Sequence, residues 1–244
     1  MSSRSIVNGL GLPVGIPIKD WCRPEKPDDH SLDGTFCRLE PLDSAKHGEH
    51  LFKANKLDQQ DRIWVYLPYG PFAKLDQYLS WVDTVCSKDD PKFYAIVDYK
   101  RQQAVGVASY LRIDPPNGSI EVGHINFSPL LQNSIAATEA MFIMMQNAFN
   151  LGYRRYEWKC DALNQRSRNA AARLGFQFEG IFRQATIYKG RNRDTAWFSI
   201  IDRDWPQLQL VYNTWLSPQN FNAKGQQKKS LSKLTKEMLI DSNE

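Results

Sequence analysis

The chain has 244 residues, with 31 lysines and arginines against 27 aspartates and glutamates, which gives a formal net charge of +4 at pH 7. Hydrophobic residues make up 42% of the chain and charged residues 24%, a composition typical of a globular protein and not of a disordered chain. The small charge predicts no nucleic-acid partner, and the longest apolar run, about five residues at 141–145, is too short for a membrane span of roughly 20 residues.

The four cysteines stand apart in the sequence, without a Cys-x-x-Cys pair and without a histidine at metal-ligand spacing. They are Cys22, Cys37, Cys86 and Cys160. This pattern predicts no disulfide framework and no metal site, and four reduced thiols fit a cytoplasmic protein. We expect all four cysteines to be packing residues.

Three zones follow one another along the chain. Residues 1–32 are rich in glycine, proline and polar residues, which predicts an extended arm. Residues 33–217 alternate between strand-like and helix-like patterns and are expected to form one domain. Residues 218–244 are polar and lysine-rich, so they form either a solvating tail or, over residues 231–240, one weak amphipathic helix.

The middle zone opens with a predicted strand over residues 35–42. A helix over residues 43–56 follows, because Asp43 is a favourable cap before an apolar helical pattern. Residues 64–72 form an aromatic loop, and the apolar spacing of residues 75–86 predicts a second helix.

The second half of this zone begins with a hairpin of residues 93–97 and 104–113, followed by a strand at 119–127. Apolar residues repeat at helical spacing over 135–151, which predicts a long helix. The remaining predicted elements are a strand at 153–161, a short helix at 167–174, and a hairpin at 176–187 and 195–201. This order of strands and helices indicates a mixed α/β domain.

The start of the long helix is a candidate anion site. Helix starts offer unpaired backbone N–H groups and the positive end of the helix dipole. Small residues at Asn133, Ser134, Ala136 and Ala137 let a phosphate group approach the backbone. Small residues that serve only the packing of a strand-to-helix turn explain the same pattern. Rossmann, P-loop and Ser-nucleophile fingerprints do not occur in the sequence.

A second motif follows at residues 164–180, where Asn164 and Ser167 precede Leu-Gly-Phe-Gln-Phe-Glu-Gly. Together, the two segments resemble the GCN5-related N-acetyltransferase (GNAT) superfamily, most closely its ribosomal-protein alanine acetyltransferase branch. Residues 132–137 (Gln-Asn-Ser-Ile-Ala-Ala) fall on that family's Gln/Arg-x-x-Gly-x-Gly/Ala signature, and Ala-Thr-Glu-Ala follows at residues 137–140. The resemblance covers roughly residues 34–205.

The resemblance implies a mixed, mainly antiparallel central sheet flanked by helices, with acetyl-CoA as co-substrate and no metal. It also implies that an amine attacks the thioester directly in a ternary complex. The cofactor-binding residues that it implies are Ile125, Phe127, Gln132, Asn133, Ser134, Ile135, Ala136, Ala137 and Asn164. One position departs from the family pattern: Ile135 replaces the first glycine, and its branched side chain disfavours a positive φ.

Glu121 is the candidate general base, because it lies on the strand that leads into the cofactor loop. His124 is an alternative base, and a water chain is a third option. Period-two alternation predicts Glu121 and Gly123 on one face of the strand and His124 on the other. The competing structural interpretations are an ion pair between Glu121 and an arginine, and a core packing role for His124.

Ser167 is the candidate acid, because Ala171 stands where many members of the family carry a tyrosine. Capping of the short helix explains Ser167 equally well. Arg166, Arg168 and Arg173 either reach the phosphates of coenzyme A or form a solvated basic face.

The aromatic loop (residues 64–72) is predicted to supply a substrate wall made of Trp64, Tyr66, Tyr69 and Phe72, and packing of this loop on the core is the alternative. A stiff aromatic wall favours a small-molecule amine with apolar surface as the acceptor. Acetylation of a protein N-terminus or lysine, and acetyl-CoA binding without catalysis, are the competing functions. The sequence leaves the oligomeric state open, a homodimer included.

Overall fold

An eight-stranded sheet forms the centre of the structure, a computed structural model that describes residues 5–223 and 225–241. The strands are β1 Ser5–Val7, β2 Pro13–Gly15, β3 Leu32–Asp33, β4 Cys37–Pro41, β5 Lys92–Asp98, β6 Gln103–Asp114, β7 Ser119–Phe127, β8 Arg155–Asp161, β9 Gln177–Tyr188 and β10 Arg191–Ile201. Strands β3 to β10 are ordered β3-β4-β5-β6-β7-β8-β10-β9. Every neighbouring pair is antiparallel except β7 and β8, so the predicted mixed, mainly antiparallel sheet is confirmed.

Six α-helices flank the sheet in the described part of the chain. They are α1 Ser44–Asn55, α2 Leu75–Trp81, α3 Ile135–Asn150, α4 Gln165–Arg173, α5 Trp205–Leu216 and α6 Leu231–Asp241. Asp43 caps α1 as predicted, and its carboxylate accepts the N–H of Lys46 at 2.6 Å. The second predicted helix is shorter than expected, since α2 ends at Trp81 and a π-helical turn, Val82–Cys86, continues it.

Helices α5 and α6 extend the folded structure through residue 241, whereas residues 224 and 242–244 of the predicted tail lie outside the described residues. Helix α5 was not predicted, although its buried residues recur at helical spacing (Trp205, Leu208, Tyr212 and Trp215). Helix α6 buries Leu231, and the Thr235 hydroxyl donates to the carbonyl oxygen of Arg173 at 3.3 Å. The amphipathic-helix alternative for residues 231–240 is therefore the one that the structure supports.

Each face of the sheet carries its own apolar cluster. The first cluster packs α3 and α5 on one face, with Met144 and Tyr212 fully buried. The second cluster packs α1, α2 and the aromatic loop on the opposite face, around Leu51, Tyr78 and Phe93. Helix α3 is also tied to the start of β4 by the buried Glu139 carboxylate, which accepts three backbone N–H groups, from Thr35 (2.8 Å), Phe36 (2.6 Å) and Cys37 (2.9 Å).

Strands β7 and β8 part in the middle of the sheet. Their parallel pairing joins Ser119–Val122 to residues 155–158 and then stops. Beyond this point the pairing of β6 with β7 shifts register, so that β7 carries one extra residue between Gly123 and Asn126, with His124 at a φ of +50°. Such a bulge bends the strand locally, and the bend opens a gap between β7 and β8.

The bulge also overturns one prediction. Gly123 pairs with Ser109, which in turn pairs with Phe93, so these three residues share the face of Glu121. The His124 ring lies 5.0 Å from the Phe93 ring, on that same face. The alternation rule placed His124 on the opposite face, which is wrong because the extra residue reverses the alternation beyond Gly123.

At the N-terminal end, β1 and β2 pair as a small hairpin whose residues are exposed, within the predicted arm; residues 1–4 of that arm lie outside the described residues. Three of the cysteines are buried as expected, but Cys22 is exposed, so its predicted packing role is wrong. No helix of the described chain is long and apolar enough to cross a membrane.

Candidate active site

The gap between β7 and β8 continues into a cleft of about 1980 Å³. Its walls are residues of these two strands, the starts of α3 and α4, the aromatic loop, and the hairpin formed by β9 and β10. The carboxyl halves of β7 and β8, which do not pair with each other, form its floor. An extended ligand arm therefore has backbone groups of β7 available for pairing.

The start of α3 forms one end of the cleft. Ser134 caps the helix by accepting the N–H of Ala137 at 3.0 Å, and Asn133 before it has a φ of +57°. The N–H groups of Ile135 and Ala136 make no hydrogen bond within the described chain. Ile135 is the first helical residue, so the positive φ expected of a glycine loop occurs two residues earlier. Two free N–H groups at a helix start suit an anionic group.

Most of the predicted cofactor-binding residues come together here. Those that line the cleft are Ile125, Phe127, Gln132, Asn133, Ser134, Ile135, Ala137 and Asn164, whereas the Ala136 side chain is buried beneath the helix start. The Gln132 side chain donates to the carbonyl oxygen of Phe127 at 2.8 Å and so fixes the turn between β7 and α3. Asn164 caps α4 by accepting the N–H of Ser167 at 3.1 Å.

Arg173 lies half-buried at the same end of the cleft. Its Nη1 donates to the Thr138 hydroxyl of α3 at 3.2 Å, and no carboxylate of the described chain lies within ion-pair distance. Burial lowers the pKa of this guanidinium, which places it in a site that an anion would stabilise. Arg166 is exposed, and Arg168 donates to the carbonyl oxygen of Ala162. Of the three arginines near the second motif, Arg173 is the one that reaches the start of α3.

Glu121 lies buried on the floor of the cleft and is paired with one exposed arginine and one buried lysine. Its Oε2 atom accepts from Arg112 at 2.6 Å and from the Lys159 ammonium at 2.9 Å. Lys159 also contacts Glu157 at 2.7 Å and lies 3.6 Å from the centre of the Trp197 ring. Both ion pairs of Glu121 therefore use one oxygen. The other oxygen, Oε1, lies toward Gly123, where a Cβ would be 3.6 Å from it.

His124 lines the cleft beside this network. Its Nδ1 lies 3.2 Å from the Tyr69 hydroxyl, and the two rings are stacked with centroids 5.6 Å apart. Burial, followed by the charges of Arg112 and Arg193, lowers the pKa of His124 to about 4. The imidazole is therefore neutral at physiological pH.

Ser167 lies across the gap from β7, at the first turn of α4. The indole N–H of Trp158 donates to its hydroxyl oxygen at 3.0 Å, so the hydroxyl proton points elsewhere. The Cys160 thiol lines the cleft beside it, and burial raises the pKa of that thiol, although the hydrogen bond from Ser167 opposes the rise. A sulfur atom of a bound ligand that lies beside the Cys160 thiol can therefore also receive a hydrogen bond from the Ser167 hydroxyl.

The aromatic loop divides between the core and the cleft. Trp64, Tyr69 and Phe72 pack edge to face or tilted against one another and against Trp81 in the second cluster. Tyr66 lines the cleft, in the company of Leu67 and Pro68. Of the four predicted wall residues, one faces the cleft and three support it from behind.

The same loop is bonded to both sides of the cleft. Its backbone carbonyls accept from the β9–β10 turn, and the Tyr66 hydroxyl donates toward α4. The three bonds are Lys189 Nζ to the Trp64 oxygen (2.8 Å), Arg191 Nη2 to the Val65 oxygen (3.0 Å) and Tyr66 Oη to the Leu163 oxygen (3.4 Å). They form a roof over the cleft on the side away from α3. Among the described residues, no group of three or more metal-ligating side chains occurs.

Comparisons with known proteins agree with this geometry. Residues 37–177 match the model of the acetyltransferase (GNAT) domain. A solved GCN5-related N-acetyltransferase from Brucella melitensis is 45% identical, with a TM-score of 0.87, and the match covers 90% of this chain and 100% of that chain. The ribosomal-protein-serine acetyltransferase of Escherichia coli (strain K12) is 28% identical over 143 residues, 52% of this chain and 80% of that protein.

A ribosomal L7/L12 α-N-protein acetyltransferase that was solved with coenzyme A shares the fold. Its TM-score is 0.60 at 22% identity, and the match covers 71% of this chain and 99% of that chain.

Proposed function

Because the chain belongs to the GNAT family and is an acetyl-CoA-dependent N-acetyltransferase, we propose that it acetylates the primary amine of a small molecule with apolar surface. The amine attacks the thioester directly in a ternary complex. The observation that carries the small-molecule assignment is the roof formed by Trp64, Val65 and Tyr66 with the β9–β10 turn and α4. A peptide acceptor needs an open groove, whereas the roof bridges this side of the cleft.

Acetyl-CoA would supply an acetyl group activated as a thioester, and the start of α3 fits its diphosphate. The free N–H groups of Ile135 and Ala136 and the half-buried Arg173 provide donors at one end of the cleft. The backbone of Ile125 and Phe127 would pair with the pantetheine amides, because β7 beyond Val122 lacks pairing with β8. Asn164 lies where the arm would enter the gap.

Glu121 is the proposed general base. Its Oε1 atom lies toward Gly123 at the bulge, while Arg112 and Lys159 hold Oε2 and so fix the carboxylate in one orientation. A positioned base with one available oxygen meets the geometric requirement for removing a proton from the attacking amine. A neutral His124 with a pKa of about 4 is a weaker proton acceptor.

The surroundings also favour an uncharged amine. Burial is the largest cause that lowers the pKa of His124, and it acts in the same direction on any ammonium group bound beside it. A bound amine therefore loses its proton more readily than the free amine does, whose pKa is about 10. The bound amine therefore requires a weaker general base than the free amine would, and Glu121 can serve as that base.

Ser167 is the proposed acid. The indole N–H of Trp158 occupies one lone pair of the hydroxyl oxygen, and the hydroxyl proton would turn from the Cys160 thiol to the departing thiolate. Tyr66 forms the proposed apolar wall for the acceptor, supported by Trp64, Tyr69 and Phe72.

The test is the release of coenzyme A thiol from acetyl-CoA with a panel of acceptors. The panel pairs small amines that carry apolar groups with spermidine, and adds peptides with free N-terminal serine or alanine and a lysine peptide. We expect turnover with small apolar amines. Turnover of the peptides alone would replace the small-molecule assignment with the protein-acceptor one, and acetyl-CoA binding without any turnover would support a non-catalytic role.

A further inference from the structure

The acceptor side of the cleft contains a guanidinium without an anionic partner. Arg193 lies on β10 two residues before Thr195, whose hydroxyl accepts its Nε–H at 3.2 Å. Neither Nη atom makes a hydrogen bond within residues 5–223 and 225–241, and no carboxylate there lies within 4.0 Å of Arg193. Arg193 is half-buried and lines the cleft. Thr195 thus holds Nε, the Tyr188 ring lies 5.9 Å from the guanidinium carbon, and the two Nη atoms keep their N–H donors available.

The neighbouring charges are already compensated. Lys159 is paired with two carboxylates, and Arg112 is paired with Glu121. Asp161 also lines the cleft, but its oxygens accept the Tyr188 hydroxyl at 2.7 Å and the N–H of Leu163 at 2.8 Å. Arg62, Arg166 and Arg183 also line the cleft without an ion pair among the described residues, but they are exposed, and Arg173 lies at the α3 end. Arg193 is therefore the half-buried cation on the acceptor side that lacks a counter-charge within the described chain.

The position of Arg193 on the sheet separates it from the proposed diphosphate site. Thr195 pairs with Asp161 and Trp197 pairs with Lys159, whose ammonium covers the Trp197 ring. By alternation, Arg193 shares this face with Thr195 and Trp197, which is the face of Glu121. Helix α3, which offers the free N–H groups, packs on the opposite face. An anion bound by Arg193 thus belongs to the acceptor and not to the diphosphate of coenzyme A.

The charge of Arg193 also reaches both sides of the gap. It is one of the causes that lower the pKa of His124 on β7, and it opposes the burial that raises the pKa of Cys160 on β8. A group held by Arg193 would therefore lie close to the reacting amine.

We propose that the acceptor is an amino acid with an apolar side chain, and that Arg193 binds its carboxylate through the two free Nη atoms while Thr195 holds the guanidinium in place. This inference rests on the proposed function and names its substrate class. Guanidinium and carboxylate form paired, parallel hydrogen bonds, which lysine or glutamine cannot reproduce. Tyr66, Leu67 and Trp197 line the same cleft and provide apolar surface for the side chain.

The test measures binding of reaction products by calorimetry, with coenzyme A present, and therefore does not depend on turnover. Three N-acetyl amino acids, of phenylalanine, leucine and methionine, are compared with the corresponding N-acetyl amines that lack the carboxylate. We expect at least one carboxylate to bind about tenfold to a hundredfold more tightly than its partner, in line with a hydrogen-bonded charge pair. In Arg193→Gln this preference should fall to about threefold or less, and in Arg193→Lys it should be intermediate.

Arg203→Gln is the matched control, because Arg203 is exposed, lies beyond the other end of β10 and should leave the preference unchanged. The proposal is wrong if no carboxylate binds more tightly than its partner in the wild type, or if Arg193→Gln keeps the preference. Turnover of amines without a carboxylate preference would overturn this inference and leave the proposed function standing. Loss of turnover with every amine, with product binding intact, would overturn the proposed function instead.

Discussion

The two oxygens of Glu121 have different surroundings, because Oε2 accepts both ion pairs while Oε1 lies toward Gly123, 3.6 Å from where a Cβ would be. The Leu111 side chain borders the same space, since its Cδ2 atom would lie 2.8 Å from a Cβ at Gly123. In the proposed mechanism, Oε1 is the atom of Glu121 that accepts the proton of the amine, since it takes part in neither ion pair.

Replacing Glu121 with glutamine tests this assignment. We expect kcat to fall by about a hundredfold or more, the usual contribution of a positioned base, while the Kd for coenzyme A stays the same. Glu157→Gln is the matched control, since Glu157 also contacts Lys159 but accepts from Arg155 and lies one strand away. Equal kcat values for Glu121→Gln and the wild type would contradict the assignment.

Ser167→Ala removes the proposed acid. We expect kcat to fall at least tenfold, because the departing thiolate loses its proton donor, with little change in the affinity for coenzyme A. Asn164→Ala separates this effect from helix capping, since it removes the capping oxygen of α4 and should cost about 1 kcal/mol of unfolding free energy. A Ser167→Ala variant that loses stability and keeps kcat would instead indicate a structural role.

Arg173→Gln should weaken coenzyme A binding by about fivefold to tenfold, because a half-buried cation at the start of α3 loses its attraction for phosphate. The loss should shrink as salt is added, since the interaction is electrostatic. Calorimetric titration at two salt concentrations measures both effects, and the exposed Arg166 provides the control Arg166→Gln. An unchanged Kd in Arg173→Gln would exclude Arg173 from the phosphate site.

Glu139→Gln tests the link between α3 and β4. The carboxylate accepts N–H groups from Thr35, Phe36 and Cys37, and an amide would present N–H donors to N–H donors. We expect the free energy of unfolding to fall by about 2 kcal/mol or more in urea titrations. Glu49→Gln, at an exposed position on α1, should unfold like the wild type, and an equally stable Glu139→Gln would refute the link.

The pH dependence of stability should reveal the buried His124. Its pKa is lowered to about 4 in the folded protein, against about 6.5 when unfolded, so the unfolded chain binds a proton first. The free energy of unfolding should therefore fall as the pH drops from about 6.5 toward 4, by about 1–2 kcal/mol at pH 5. His124→Gln should lose this part of the slope, whereas His50→Gln, at an exposed position, should keep it.

Local patterns predicted most of the elements. The strand at residues 119–127 coincides with β7, and the helix predicted from residue 135 begins there and is one residue longer than α3. Helix α5 was missed even though Trp205, Leu208, Tyr212 and Trp215 have helical spacing, a signal that was present in the sequence. The bulge at His124 was not predictable, because the alternation rule assumes an uninterrupted strand without an inserted residue.

The sequence predicted those residues of the candidate site that belong to a motif. It did not predict the residues that only tertiary contacts bring into the cleft. Gln132 through Ala137 fall on one motif and lie together at the helix start. Arg193, Lys159 and Lys189 belong to no motif, since their roles depend on which strands the sheet brings side by side. Three of the four aromatic wall residues pack inward, because their apolar surface is better buried in the second cluster.

The central claim is that the amine attacks acetyl-CoA directly in a ternary complex, and two-substrate steady-state kinetics test it most directly. Initial rates of thiol release are measured over a grid of acetyl-CoA and amine concentrations, with the acetylated amine counted in parallel. Direct transfer in a ternary complex predicts intersecting double-reciprocal lines and one acetylated amine for each thiol released. Parallel lines together with an acetylated protein, for example at Cys160 in the cleft, would contradict direct attack on the thioester.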